Sequence, residues 1–126
     1  MKYLLLLLFF LIFDLIFKMF FVSKSGEYFF SLNNRYLAII ILILCFIFLF
    51  RLIFFDIKYT KSDILFFRIL LFAGVISNSI DVLAFGFVRD YISCCKILFN
   101  LADVYITISI AYLVIYETRI FSKTKI

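Results

Sequence analysis

Two short stretches of this chain place an asparagine three residues before an aspartate, Asn78–Asp81 and Asn100–Asp103. Residues three apart lie on the same face of a helix, so each stretch presents an amide and a carboxylate side by side. Two carboxyl groups that lie close together do not easily both ionise, and they tend to share one proton. One can then accept a proton from water while the other donates one to a scissile amide. The pattern therefore predicts a peptidase pair, Asp81 and Asp103.

The same spacing also has a purely structural explanation. Asn100 can be the N-cap of a helix with Asp103 at the third helical position, which is a common pattern at helix starts. Asp81 can mark the point where a helix meets water. Both explanations stay open at the level of the sequence.

The expected helix ends also predict how such a pair divides its proton. Asp103 would lie in the first turn of a helix, where the macrodipole favours a carboxylate. Asp81 would lie in a last turn, where the dipole has the opposite sign and favours the neutral acid. We therefore predict that Asp103 accepts the proton from water and that Asp81 carries the resting proton.

A second charged feature lies within the first apolar run, where Asp14 precedes Lys18 by four residues. Residues at this spacing meet on a helix, and pairing is the least costly way to hold either charge inside a membrane. We therefore predict that Asp14 and Lys18 form a structural ion pair.

A third feature, Gly86–Ile92, mixes apolar and aromatic residues with isolated charges. This composition is typical of the membrane–water interface. The segment either covers the site between the aspartates or rests on lipid headgroups.

The composition predicts the elements that must position these residues. Of the 126 residues, 67% are hydrophobic and 17% are charged, and the mean hydropathy is +1.23. A small soluble domain must cover its surface with polar residues, so this balance indicates an integral membrane protein. Proline is absent and glycine occurs three times, which favours long helices over tight turns.

The composition also excludes several classes of function. The chain has no histidine, which rules out histidine-based nucleophilic triads and histidine metal sites. The net charge is +5, but no basic stripe with interleaved aromatic residues is present, so we expect no nucleic-acid partner. Cys45 lies in an apolar run as a packing residue, while Cys94 and Cys95 lack the spacing of a zinc site.

Four apolar runs are long enough to cross a bilayer, and we predict an all-α four-transmembrane-helix bundle that forms a single domain. The spans are about Tyr3–Val22, Tyr36–Phe55, Ile64–Asp81 and Asn100–Glu117. A cleaved signal peptide is the rival interpretation of the first run. Asp14 and Lys18 interrupt that run, however, and no small-x-small cleavage site follows it. Antiparallel third and fourth helices would bring Asp81 and Asp103 to the same membrane depth.

The distribution of basic residues predicts the orientation. With four spans, both termini and the connector Asp56–Asp63 lie on one side, and the loops Ser23–Arg35 and Val82–Phe99 lie on the other. The first side carries eight basic residues: Lys2, Arg51, Lys58, Lys61, Arg68, Arg119, Lys123 and Lys125. The other side carries Lys24, Arg35, Arg89 and Lys96, and Lys18 lies just inside the first span. The positive-inside rule therefore places both termini in the cytoplasm.

The order of these features along the chain resembles signal peptidase II, the lipoprotein signal peptidase. Members of that family carry an aspartate and a lysine in the first helix and an asparagine–aspartate segment at the end of the third. They also carry a loop of the G-x-V-x-D-F-I type and an F-N-x-A-D segment at the start of the fourth helix. The most specific match here is Phe99–Asp103, and the likeness is strongest over the second half of the chain.

The resemblance implies a multi-pass protein of the bacterial cytoplasmic (inner) membrane, with its active site near the outer face. It leads us to assign catalytic roles to Asp81 and Asp103 and substrate-binding or orienting roles to Asn78 and Asn100. The substrate would be a prolipoprotein whose cysteine carries diacylglycerol, cut before that cysteine. Because an aspartate pair activates water unaided, we expect no metal and no organic cofactor. We also expect a monomer surrounded by membrane lipid.

Several positions depart from the family pattern. Ser77 stands in place of glycine, Val82 in place of arginine and Phe17 in place of serine or threonine, and the outer segment after the first span is short. Two alternatives to an active peptidase therefore stay open. One is a degenerate homologue or another small membrane protein without enzymatic activity. The other is a four-helix exporter built on Asp14, although the scarcity of glycine argues against its helix packing.

We expect reporter fusions after Lys61 and at Ile126 to report the cytoplasm, because basic residues concentrate on that side. A fusion near Lys96 should report the outer side. The measurement is the activity of paired alkaline phosphatase and fluorescent-protein fusions in bacterial cells. An external C-terminus would contradict this topology.

Overall fold

The computed structural model describes residues 1–21, 33–51 and 60–124, and within them it contains four helices and one small hairpin. The helices are α1 (Lys2–Phe21), α2 (Asn33–Arg51), α3 (Ser62–Phe85) and α4 (Leu101–Thr124). The hairpin consists of β1 (Ile92–Cys94) and β2 (Ile97–Phe99). The prediction of four helices is confirmed for the described part of the chain.

Three of these helices are long and apolar enough to cross a membrane. They are α1, α3 and α4, with 20, 24 and 24 residues, and a helix needs about 20 residues to cross the hydrocarbon core. In α2 the apolar stretch covers Tyr36–Arg51. The predicted end of the second span at Phe55 lies outside the described residues, as do most of the predicted loop Ser23–Arg35 and half of the connector Asp56–Asp63.

Two helices extend beyond their predicted ends. We predicted that the third span ends at Asp81, whereas α3 continues to Phe85. Gly86 then ends the helix, because its φ of 82° lies in the left-handed region that glycine adopts without strain. Its N–H donates at 2.9 Å to the carbonyl oxygen four residues earlier. The fourth helix passes its predicted end at Glu117 and reaches Thr124, since neither glycine nor proline interrupts it.

The predicted loop Val82–Phe99 contains regular structure that the all-α prediction missed. Strands β1 and β2 pair in antiparallel with Cys94 opposite Ile97, so Cys95 and Lys96 form a two-residue turn. Both turn residues have positive φ, 55° and 68°, as tight hairpin turns require. Such turns normally carry asparagine or glycine, so neither residue signals a hairpin in the sequence.

Helix α3 lies at the centre of the bundle and packs against α1, α2 and α4. Its buried residues Leu65, Ile69 and Ala73 form an apolar core with Leu7 of α1. Large apolar side chains cover the outward faces of α1 and α2, as a lipid environment allows. In lipid the hydrophobic effect does not drive helices together, so their association depends on close packing and on polar bonds between helices.

Helices α3 and α4 approach each other closely at Gly74. A Cβ at this position would lie 2.6 Å from the backbone oxygen of Ala102 and 2.8 Å from Cγ1 of Ile106. Non-bonded carbon atoms pack at about 3.5–4.0 Å, so only glycine fits. This contact holds the first turn of α4 beside α3, one helical turn before Asn78.

We predict that Gly74→Ala destabilises the bundle. Alanine normally stabilises a helix interior by about 0.5–1 kcal/mol relative to glycine. The backbone oxygen of Ala102 cannot swing aside, however, and overpacking of this kind costs about 1–3 kcal/mol. The measurement is the melting temperature of the purified protein in detergent. Ala84→Val, on an exposed position of the same helix, should leave that temperature unchanged, and a Gly74→Ala protein as stable as the wild type would contradict the close approach.

Candidate active site

The ammonium group of Lys18 is the centre of a buried polar network. Lys18 has no exposed surface, and its Nζ lies 2.9 Å from Asp14 Oδ2 and 3.1 Å from Asp81 Oδ2. It also donates to Ser77 Oγ at 3.1 Å and to Asn78 Oδ1 at 2.9 Å. Because an uncompensated charge inside a membrane is costly, these contacts tie α1 to α3.

Asp14 connects α1 to the start of α4. It is fully buried, and one of its oxygens accepts from the Lys18 ammonium and from the Ser77 hydroxyl. Its other oxygen accepts the backbone N–H of Ala102 at 3.0 Å. The first N–H groups of a helix lack internal partners and carry a partial positive charge, so a carboxylate at this point stabilises α4. Asp14 and Lys18 therefore meet as their spacing predicts. Asp14 also binds the first turn of α4.

Asp81 is enclosed by two cations. Lys18 contacts Oδ2 of Asp81. The guanidinium of Arg89 donates to Oδ1, with Nη2 at 2.8 Å and Nε at 3.1 Å. The backbone N–H of Arg89 donates to Oδ2 at 3.0 Å. Asp81 has no exposed surface. The attraction of two adjacent cations stabilises the ionised carboxylate, and their donors occupy both of its oxygens. These ion pairs hold the end of α3 against α1 and the loop, and our sequence-based prediction that Asp81 carries the resting proton stays a prediction.

The start of α4 is closed by a reciprocal cap. Asn100 Oδ1 accepts the N–H of Asp103 at 3.0 Å, and Asp103 Oδ2 accepts the N–H of Asn100 at 3.1 Å. This is a capping box, so the helix-start explanation of the Asn-x-x-Asp spacing is correct here. The cap leaves the other oxygen of Asp103 to accept from Asn78 Nδ2 at 2.9 Å. Asp103 is partly exposed, unlike Asp14 and Asp81.

Asp90 lies in the loop between α3 and β1, and it shares Asn100 with Asp103. Asn100 Nδ2 donates to Asp90 Oδ1 at 2.8 Å and to Asn78 Oδ1 at 3.2 Å. Burial raises the pKa of the Asp90 carboxyl, and the negative charge of Asp103 raises it further. The hydrogen bond from Asn100 and the charge of Lys18 oppose this rise. Asp90 and Asp103 are thus carboxyl groups close enough to influence each other's protonation.

Tyr91 joins the same loop to α1 and α4. Burial raises the pKa of Tyr91 to about 12, so its hydroxyl keeps its proton. The hydroxyl accepts the N–H of Leu101 at 3.2 Å and donates a long bond, 3.5 Å, to Asp14 Oδ1. The ring stacks on Phe21 of α1. The segment Gly86–Ile92 therefore covers the polar network, as the first of its two predicted placements, over the site between the aspartates, requires.

The predicted pair Asp81 and Asp103 belongs to one network, but among the described residues no hydrogen bond joins the two directly. They are linked through Asn78, which accepts from Lys18 and donates to Asp103. Sequence reasoning missed the part that Arg89 and Asp90 play. The signal that could have found them is a pair of opposite charges inside an otherwise apolar and aromatic segment.

An apolar groove of about 260 Å³ opens beside this network. The groove is lined by Leu37 of α2, Val88 of the loop and Ile106 of α4. On the α3 side, Asn78 lines it. The surface of the groove is almost entirely apolar, and Asn78, which lines it, donates to Asp103. The arrangement suits an apolar chain segment whose backbone reaches the carboxyl groups.

A family model described as signal peptidase (SPase) II matches residues 2–119. The match runs from the start of α1 into the last turns of α4, and so it covers most of the chain. A comparison with curated proteins found no match.

We predict that Lys18→Met sharply lowers the yield of folded protein, because it leaves the buried carboxylates of Asp14 and Asp81 without their shared cation. Breaking a buried ion pair in this way costs about 3–5 kcal/mol. The measurement is the amount of monodisperse protein recovered from membranes in detergent. Lys123→Met removes an exposed charge and should leave the yield unchanged. Lys18→Met protein recovered in full amount but unable to cleave substrate would assign Lys18 to the chemistry instead.

Proposed function

Because the chain belongs to the signal peptidase II family, we propose that it is an aspartic endopeptidase that removes signal peptides from bacterial prolipoproteins. The enzyme cuts before a cysteine that carries diacylglycerol, within the cytoplasmic membrane. The observation that carries this proposal is that Asp81 and Asp103 belong to one polar network, in which Lys18 and Asn78 link them. We propose Asp81 and Asp103 as the catalytic pair.

The positions of the two carboxyl groups support this pair. Asp81 lies near the end of α3 and Asp103 in the first turn of α4, and the two helices approach each other closely at Gly74. Lys18 and Arg89 hold the side chain of Asp81 in place.

The surroundings of Asp103 suit a base. It accepts two N–H donors and lies in the first turn of α4, where the helix dipole adds to the stabilisation of a carboxylate. We therefore propose that Asp103 accepts the proton from water and that Asp81 is its partner, while the titration itself belongs to the coupled pair.

The proposed reaction uses one water molecule held between the two carboxyl groups. The water gives a proton to Asp103, and its oxygen attacks the carbonyl carbon of the scissile peptide. Asp81 donates the shared proton to the carbonyl oxygen, which gives a tetrahedral diol. Asp103 then passes its proton to the peptide nitrogen as the C–N bond breaks, and Asp81 recovers a proton from the diol as the new carboxyl group forms.

The substrate of such an enzyme is itself a membrane segment, so the site must accept an apolar chain at bilayer depth. The apolar groove beside Asn78 supports this requirement. Under the topology that we predict, the loop and the hairpin face outward, which puts the site near the outer face. As the resemblance implies, we propose a monomer whose aspartate pair, Asp81 and Asp103, activates water without a cofactor.

An exporter site on Asp14 is the less favoured function, because Asp14 is fully buried and accepts from Lys18, Ser77 and Ala102.

One assay distinguishes an active enzyme from a degenerate homologue. The purified protein is incubated with a diacylglyceryl-modified prolipoprotein, and release of the signal peptide supports the proposal. A folded protein that releases none would contradict it.

We predict that Asp81→Asn and Asp103→Asn each lower the cleavage rate by about 10²–10⁴-fold, the usual contribution of a positioned acid or base. At equal amounts of folded protein, the exposed control Asp63→Asn should cleave at the wild-type rate. An Asp81→Asn enzyme that is more active than Asp90→Asn would move the proposed acid from Asp81 to Asp90.

We also predict that stability declines as the pH rises above the ordinary range of an aspartate carboxyl, because burial and the charge of Asp103 raise the pKa of Asp90. The contribution of Asp90 is present below its unfolded pKa and is lost as the pH rises through the raised, folded pKa. Asp90→Asn should remove this part of the pH dependence of the melting temperature, whereas the exposed control Asp63→Asn should keep it. Identical pH dependence of the melting temperature in the wild type and in Asp90→Asn would contradict this prediction.

A further inference from the structure

The turn of the hairpin carries two neighbouring thiols. Cys94 ends β1 and Cys95 is the first residue of the turn, and both side chains are exposed. Their Sγ atoms lie 3.4 Å apart. Successive side chains of a strand point to opposite faces, so two neighbouring cysteines within a ladder normally hold their thiols apart. Cys95 leaves the ladder with a φ of 55°, and its thiol lies beside that of Cys94 instead.

The left-handed conformation of Cys95 is unfavourable for a residue with a Cβ. Hairpin turns of this geometry normally carry asparagine, aspartate or glycine. Residues held in such conformations cluster at functional sites. Cysteine therefore adds nothing to this position as a turn former, and what it does add is a second thiol next to the first.

The covalent geometry of neighbouring residues disfavours a disulfide between these two cysteines. Their Cα atoms are separated by one peptide unit, about 3.8 Å, whereas the Cα atoms of a disulfide usually lie about 4.4–6.8 Å apart. A bond closed over so short a distance is strained and easily reduced. Both cysteines are free thiols in the structure, which is the form that binds metal ions after losing its proton.

The separation of the sulfur atoms suits one bridging ion. Two bonds of about 2.3 Å, the length of a zinc–thiolate bond, span the 3.4 Å between the sulfur atoms at an angle of about 95°. An ion with linear coordination needs sulfur atoms about twice the bond length apart, so a bent geometry fits better. Among the described residues no three or more histidine, cysteine, aspartate or glutamate side chains form a metal-binding group. Water or an external ligand must therefore complete the coordination.

We propose that Cys94 and Cys95 form a two-thiolate site for a soft metal ion with bent coordination, such as Zn²⁺ or Cd²⁺. Thiolates select soft ions over magnesium and calcium, which prefer oxygen ligands. Each divalent ion that binds replaces the protons of both thiols, so two protons are released. Under the topology that we predict, the hairpin faces outward, and an ion reaches it without crossing the membrane. The site uses neither Asp81 nor Asp103, so it is independent of the proposed peptidase.

The test measures Cd²⁺ binding to the purified protein in detergent. Every protein carries Cys45→Ala, so that the hairpin holds the only thiols of the chain. Titration calorimetry gives the affinity and the number of protons released, and the ultraviolet absorption of cadmium–thiolate bonds identifies the ligands. We expect one ion per chain and two protons per ion. Cys94→Ser and Cys95→Ser should each bind about 10²–10⁴-fold more weakly, because the second thiolate binds in an intramolecular step. Equal affinity in a single variant, or no binding by the parent, would overturn the proposal.

A matched control keeps two neighbouring cysteines but moves them out of the turn. Ser93→Cys/Cys95→Ser places the thiols at positions 93 and 94, which are successive residues of β1 and point to opposite faces. This variant should bind Cd²⁺ as weakly as Cys94→Ser. An affinity equal to that of the parent would show that adjacency alone is sufficient and would reject the role of the turn. All four positions of the hairpin turn region are exposed or solvent-facing in β1 and β2, and equal melting temperatures confirm that the variants fold.

Phenylarsine oxide tests the spacing of the thiols without a metal ion. Its arsenic forms bonds to two thiol sulfur atoms while its oxygen leaves with both protons as water. The parent should be labelled, and Ser93→Cys/Cys95→Ser should not be. Mass spectrometry of the parent purified without reductant gives the resting state, and a mass lower by two hydrogen atoms would identify a disulfide and overturn the proposal. These measurements need no peptide substrate, so a negative result leaves the proposed peptidase standing.

Discussion

An ammonium group without exposed surface must be surrounded by acceptors, and Lys18 finds its acceptors on two helices. Asp14 lies one turn away on α1, while Asp81, Ser77 and Asn78 lie on α3. Because lipid offers neither water nor counterions, these contacts are obligatory once the lysine lies at this depth. They fix the rotation of α1 about its axis and its height against α3. The other polar contacts of the site extend from this point.

The chain of contacts continues to the third packed helix without a break. The second oxygen of Asp14 binds an N–H in the first turn of α4, and Gly74 lets that turn lie directly against α3. Asn78 then reaches Asp103 across the same contact. The side chains of Asp81 and Asp103 are thereby held within one network that spans three helices.

Much of the fold follows from the sequence, because apolar runs of span length and the spacing of Asp14 and Lys18 depend on local periodicity. The helix-start pattern of Asn100 and Asp103 is local as well. The ion pair between Arg89 and Asp81 could not be predicted, because Arg89 reaches Asp81 only after a turn at Gly86 that spacing does not reveal. The hairpin was missed for a similar reason, since its turn residues adopt positive φ without the usual glycine or asparagine.

The central claim is that Asp81 and Asp103 together activate one water molecule against the scissile peptide. The most direct measurement is the incorporation of ¹⁸O from labelled water into the new carboxyl group of the released signal peptide, with wild type, Asp81→Asn and Asp103→Asn in lipid at equal amounts of folded protein. The account predicts one ¹⁸O atom per peptide released by the wild type, and release near background in both variants. Release by Asp81→Asn at the wild-type rate would contradict it.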